Sequence, residues 1–150
     1  MARINLLHAG LCVSNLENSL RFYTDGLGFV VAETFTAGDE VAPLGEITSG
    51  AKMTSQTIVK DGVRLELLWW PEPGCVGTPS TPRNQLGLTH LSFVVDDIAD
   101  TEARLVALGA EVIESTRSRI DTGSGAVDLV FLTDPDGTRI EIVKLGSSPT

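Results

Sequence analysis

Cysteine is scarce in this chain of 150 residues; Cys12 and Cys75 are the two present. Two thiols are too few for a disulfide framework, and their spacing matches no zinc pattern. Neither has an evident base beside it, so both read as inert thiols. Positive charge is short as well. Eleven Lys and Arg against twenty Asp and Glu give a net charge of −9, which argues against a nucleic-acid partner. The same balance disfavours an anionic membrane surface. No run of 18 apolar residues occurs, so no membrane-spanning helix is expected. The opening "MARINLLHAGLCV" carries one basic residue and an apolar run broken by Asn5 and His8, unlike a secretory signal. A cytoplasmic protein is expected. Aromatics make up 5% of the residues, yet the 42% hydrophobic and 21% charged shares are ordinary for a globular domain. A chain of this length can bury its apolar side chains in one domain, or in two small halves sharing one core.

What the chain does have is an internal repeat. "LLHAGLCVSNLENSLRFYTDGLGFVV" and "LTHLSFVVDDIADTEARLVALGAEVI" both open with an apolar strand carrying a His. Both then reach a polar pair, become helical and end at a glycine followed by a second strand. His8 and His90 stand 82 residues apart, and Leu16 and Ile98 keep that offset. Later, Asp61-Gly62 precedes "VRLELLWW" and Asp136-Gly137 precedes "TRIEIVKL", each a hairpin signal between alternating strands. In both halves a glutamate follows the turn glycine by four residues, Glu66 and Glu141, with Arg64 and Arg139 two residues before it. This is a duplicated module.

Each half reads as a strand, a helix and three strands. The expected strands of the first lie near 4–13, 29–34, 52–60 and 63–70, with a helix near 15–26 opened by a Ser14/Glu17 capping box. Those of the second lie near 87–95, 110–114, 126–133 and 138–144, with a helix near 98–108. Asp96, Asp97 and Asp100 supply its caps and Gly109 its end. The stretch 71–86, with four prolines and two glycines, reads as the linker. The expected organisation is one domain over 1–150, built from modules at about 4–70 and 87–145. The loop 35–51 has no counterpart of equal length and is the candidate for a substrate-specific insertion.

Strand parity decides which side chains can meet. Leu6, His8, Gly10 and Cys12 share one face of the first strand, and His90 shares its face with Leu88, Ser92 and Val94. In "VRLELLWW" the row Val63, Leu65, Leu67, Trp69 is wholly apolar, and Arg64, Glu66, Leu68 and Trp70 lie opposite. In the last strand Ile140 and Ile142 oppose Arg139, Glu141 and Val143. The apolar rows are where helices should pack. His8, Glu66, His90 and Glu141 then fall together on the other, concave face. Two imidazoles and two carboxylates suit one divalent transition ion, with zinc, nickel, cobalt, manganese and ferrous iron all open. Arg64 and Arg139 read either as anchors for an anionic substrate or as partners of acids at a strand edge, the second being the plainer reading. Trp70 on the cleft side offers an apolar or aromatic wall.

These residues resemble the vicinal-oxygen-chelate superfamily, which includes glyoxalase I, methylmalonyl-CoA epimerase, extradiol dioxygenases, fosfomycin-resistance enzymes and bleomycin-binding proteins. The resemblance spans about residues 4–145 and rests on "NLENSLRFYTDGLGF", "TDPDGTRIEIVKL" and the paired modules. It implies an α+β fold in which two βαβββ modules curve into a half-barrel sheet around a metal-binding cleft. It implies a small-molecule substrate and a homodimer, since modules in this superfamily pair within one chain or between two. The set His8, Glu66, His90 and Glu141 resembles the ligands of metal-dependent glyoxalase I, in which a metal-bound glutamate, here Glu66 or Glu141, takes a proton beside a chelated carbonyl.

One departure from that pattern matters. Glyoxalase I enzymes of this kind hold glutathione with an Arg four residues after the first His and an Asn four after the first Glu. Here those positions are Cys12 and Trp70, and neither grips a carboxylate. The expectation is therefore a metal-dependent lyase or isomerase, glyoxalase-like or epimerase-like, that works without glutathione on an apolar or aromatic substrate. Arg64, Arg117 and Arg119 remain as other possible carboxylate partners. The alternatives are an extradiol-type dioxygenase, for which a carboxylate at 66 is unexpected, and a drug-binding resistance protein, which needs no metal.

Overall fold

The computed structural model describes residues 2–123 and 125–146. Residues 1, 124 and 147–150, which the expected 1–150 domain includes, lie outside the described residues. The chain divides into two compact units between Gly77 and Thr78, within the segment expected as the linker.

In the first unit the order is β1 (Ala9–Val13), α1 (Leu16–Arg21), a π-helical turn (Phe22–Gly26), β2 (Val30–Ala37), β3 (Lys52–Lys60) and β4 (Val63–Glu72). The sheet runs β1-β4-β3-β2, with β1 parallel to β4 and the other pairs antiparallel. The second unit repeats this plan with β5 (Leu91–Val94), α2 (Ile98–Ala107), β6 (Val112–Thr122), β7 (Gly125–Thr133) and β8 (Arg139–Leu145). Its sheet runs β5-β8-β7-β6, again with the first strand parallel to the last. The protein is α+β, two four-stranded mixed sheets with few helices. Among the described residues no helix is long and apolar enough to cross a membrane.

The middles of the apolar rows read from the sequence are the core, whereas Val63 at the start of β4 is exposed and Trp69 is half-buried. Leu65 and Leu67 of β4 and Leu11 and Val13 of β1 are buried in the first unit. Ile140 and Ile142 of β8, with Val130 and Leu132 of β7, are fully buried in the second. Full burial of each such side chain is worth about 1.5–3 kcal/mol. Phe22 and Tyr23 are also fully buried, edge to face at 5.3 Å, where the helix widens into the π turn.

Several expected boundaries are corrected. The first strand begins at Ala9, not near residue 4, because it pairs with β4 from Leu65 onward and β4 itself begins at Val63. Residues 4–6 thus run past the hairpin end and have no strand opposite. The same holds for β5, which pairs with β8 from Ile140 and begins at Leu91. The cap of α1 is Asn15, whose side chain accepts the Asn18 N–H at 2.9 Å; Ser14 and Glu17 do not form the expected box. Strand β6 runs on to Thr122 across a register shift between Ile113 and Ser118, where the Thr116 hydroxyl accepts the Phe131 N–H at 2.9 Å.

The two Asp-Gly signals give different turns. Asp61 and Gly62 both adopt positive φ, 49° and 79°, and join β3 to β4 in two residues. The second sequence forms a longer loop, 134–138, around buried Asp134. Its Oδ1 accepts the Asp136 and Thr138 N–H groups at 2.9 and 2.8 Å.

Candidate functional site

Each sheet turns its apolar row toward the core and leaves the opposite face for polar chemistry. In the first unit, in-register neighbours on that face run Glu33–Thr57–Glu66 across β2, β3 and β4. His8 precedes β1, and its Nε2 lies 2.9 Å from Glu66 Oε2. Ser55 donates to the other oxygen, Glu66 Oε1, at 2.5 Å. The His8 and Glu66 side chains are 32% and 20% exposed, so water and small ligands reach them while the surrounding dielectric is lowered. A cleft of about 280 Å³ opens here, lined by His8, Glu33, Phe35, Ser55, Arg64 and Glu66 among others. Gly10 keeps its floor low; a Cβ there would stand 3.7 Å from Glu66 Oε2.

The second unit repeats the pair. His90 precedes β5, and its Nε2 lies 3.7 Å from Glu141 Oε2. Ser92, at the repeat position of Gly10, donates to Glu141 Oε2 at 2.6 Å. The Thr89 hydroxyl sits 2.8 Å from His90 Nδ1. With Nδ1 engaged, Nε2 is the nitrogen left to face the carboxylate, the arrangement a metal-ligating imidazole uses. Phe131 packs edge-on against the His90 ring at 5.1 Å and fixes its plane.

Each unit therefore brings one expected His and one expected Glu together. Among the described residues no group of three or more His, Cys, Asp or Glu side chains is gathered. Arg64 Nη2 pairs with Glu33 Oε2 at 2.9 Å, while its Nε is buried without a hydrogen-bond partner. Arg139 donates Nη1 to the Gly137 carbonyl at 2.9 Å. Trp69 lines a separate cleft with Leu16, Leu20 and Val31, and the half-buried Trp70 ring lies against Gly45 of the 35–51 loop. A Cβ added to Gly45 would stand 2.5 Å from the Trp70 ring. Cys12 and Cys75 are exposed and form no disulfide, and Cys75 Sγ donates weakly to the Val13 carbonyl at 3.7 Å.

The sequence reading missed the support around the pairs. Ser55 and Phe131 come from neighbouring strands and are brought close by cross-strand register, whereas Thr89 and Arg83 belong to the segment before β5. Ser92 was within reach, because it shares the His90 face. Arg83 donates to the carbonyls of Ser80, Thr81 and Thr89 and lies over the Phe131 ring at 5.9 Å. Its pKa is lowered, first by burial and then by the positive charge of Arg139.

The chain belongs to the glyoxalase/bleomycin resistance protein/dioxygenase superfamily, whose family model matches residues 5–142. It is 28% identical over 141 residues to the lactoylglutathione lyase of Salmonella typhimurium, covering 94% of this chain and 93% of the relative. It is 26% identical over 147 residues to a protein named glyoxylase I 4 of Arabidopsis thaliana, covering 97% of this chain and 73% of the relative. A glyoxalase family protein from Bacillus cereus shares the fold at a TM-score of 0.77 and 21% identity, covering 97% of this chain and 99% of that one.

Proposed function

We propose that this chain is a metal-dependent lyase or isomerase of the glyoxalase or epimerase kind, with His8, Glu66, His90 and Glu141 as ligands of one divalent ion. The observation that carries the reading is the same Nε2–carboxylate pair at repeat-equivalent positions of both units. Within each unit the imidazole and the carboxylate are donor types that suit such an ion. Two ligands about 2.1 Å from one metal stand about 3.0 Å apart at a right angle and about 3.6 Å at roughly 120°. The observed 2.9 and 3.7 Å match those spacings. When bound, the ion would act as a Lewis acid toward a substrate carbonyl and lower the cost of removing a proton beside it.

The rest falls to the chain's own side chains. Glu66 has both oxygens engaged, one by Ser55 and one by His8, which suits a fixed ligand. Glu141 accepts Ser92 on Oε2, and among the described residues its Oε1 takes no hydrogen bond. Glu141 is therefore the better-placed base, with Oε1 to receive the proton. The Thr89 hydroxyl, 2.8 Å from Nδ1, holds the His90 ring in place. Cys12 and Trp70 offer no grip for the carboxylates of glutathione, and the reading is glutathione-independent. The substrate is a small molecule with an apolar or aromatic body. The two units work as one domain, the active form is a homodimer, and the protein acts in the cytoplasm.

Turnover of candidate α-hydroxy-carbonyl substrates in deuterated water tests the reaction class. Solvent deuterium should appear at the substrate carbon. Oxygen consumption with a catechol and no such exchange would assign a ring-cleaving dioxygenase instead. Tight binding of an aromatic drug by metal-free protein would assign a sequestering role. With the glutathione hemithioacetal of methylglyoxal, a kcat/KM of about 10⁶ M⁻¹s⁻¹ or more would overturn glutathione independence.

A further inference from the structure

Each unit carries one repeat-equivalent arginine beside its His–Glu pair, and the company of that arginine differs. In the first unit Glu33 stands in register with Thr57 and Glu66 and accepts Arg64 at 2.9 Å, so the arginine's charge is matched. The corresponding row of the second unit is Ile113–Phe131–Glu141. An isoleucine occupies the register position of the carboxylate. Arg139 has the Gly137 carbonyl as its hydrogen-bond partner, and among the described residues no carboxylate lies within ion-pair reach of it. The other strand arginines of this unit are paired, Arg117 with Glu102 and Glu114, and Arg119 with Asp128.

A second guanidinium, Arg83, adds to the excess. It lies over Phe131, whose ring edge meets His90, and its donors meet backbone carbonyls and no carboxylate. Carbonyls orient a guanidinium but do not neutralise it. Partial burial, and then the nearby positive charge of Arg139, disfavour the charge of Arg83. Two half-buried like charges without a local counter-ion are costly. They are also held in place in advance, which is what lowers the cost of binding an anion. Guanidinium forks match a carboxylate best.

We infer that Arg83 and Arg139 form an anion-binding subsite beside His90 and Glu141, and that the substrate of the proposed reaction carries a carboxylate in addition to its reacting carbonyl. The inference rests on the reading of His90 and Glu141 as part of the reaction centre. Phe131, under Arg83 and edge-on to His90, supplies an apolar flank for the body of that substrate. The ligand class is an aromatic or apolar carboxylic acid.

The test compares phenylacetate with phenylacetamide as probes. Binding is measured by calorimetry on the full chain as purified and again after chelator treatment, with metal content determined in parallel. The acid should bind at least about tenfold tighter than the amide, a difference of about 1.4 kcal/mol. Arg139→Gln should erase that preference, and Arg139→Lys should keep part of it. Arg104→Gln, which removes one charge from α2, should leave the preference intact. Arg83 also secures its own segment, so Arg83→Lys is the variant to use there, with a thermal melt to show that it folds. Equal binding of acid and amide, or an equal loss in Arg104→Gln, would overturn the inference. Inorganic phosphate competing as well as phenylacetate would overturn the carboxylate assignment. Wild-type protein that takes up no metal would overturn the proposed function while leaving the acid-versus-amide result in chelated protein to stand.

Discussion

The two units are built on one plan and differ where chemistry would be expected to differ. In the first, the His–Glu contact is tight at 2.9 Å, both carboxylate oxygens are engaged, and the neighbouring arginine is neutralised by Glu33. In the second, the contact is open at 3.7 Å, one carboxylate oxygen carries the hydrogen bond from Ser92, and two arginines stand without a counter-charge. Duplication supplied the same skeleton twice. Single differences at register positions, Glu33 against Ile113 and Gly10 against Ser92, give the two His–Glu pairs different surroundings.

The largest effect should come from setting Glu141→Gln against Glu66→Gln. If Glu141 is the base, its variant should lose about 10²–10⁴-fold in kcat with metal still bound, while the Glu66 variant should lose metal affinity first. Steady-state kinetics at saturating metal separate the two. Identical behaviour would erase the functional asymmetry. Next come the cores. Leu67→Ala and Ile142→Ala each remove a fully buried side chain and should each cost about 2–5 kcal/mol in chemical unfolding. One shared transition would mean that the units fold as one body, and two separate transitions that they do not.

A smaller effect is expected at the turns. Asp134→Ala strips a buried carboxylate from two backbone N–H groups and should cost about 1–3 kcal/mol. Asp61→Asn should be near neutral, because Asn also tolerates positive φ at that turn. The smallest effect should be on the stability of Arg64→Gln, about 1 kcal/mol or less, since Glu33 across from it is largely exposed. A larger loss would mean that Arg64 does more than neutralise Glu33.

The repeat explains why so much of the fold could be read before any coordinates. Alternation at Leu65/Leu67 and Ile140/Ile142 named the buried rows, and parity then forced His8, Glu66, His90 and Glu141 onto the other faces. Local signals were less secure where two residues compete for one role. Ser14 and Glu17 had the spacing of a capping box, but Asn15 sits one residue later and its short side chain reaches the Asn18 N–H. Strand ends were misjudged because apolar content continues through Ile4 and Leu6, whereas pairing stops where β4 stops. The supporting residues Ser55 and Phe131 were invisible for a related reason. Their closeness to the histidines and glutamates follows from cross-strand register, which no single stretch of sequence encodes.

Elemental analysis of the purified wild-type protein beside His90→Ala and His8→Ala tests the central claim most directly. If the duplicated pairs hold one divalent ion, wild type should carry one ion per pair of modules, and both variants should lose it while keeping their fold. Metal content unchanged in either variant would contradict the account and leave the two His–Glu contacts as ion pairs.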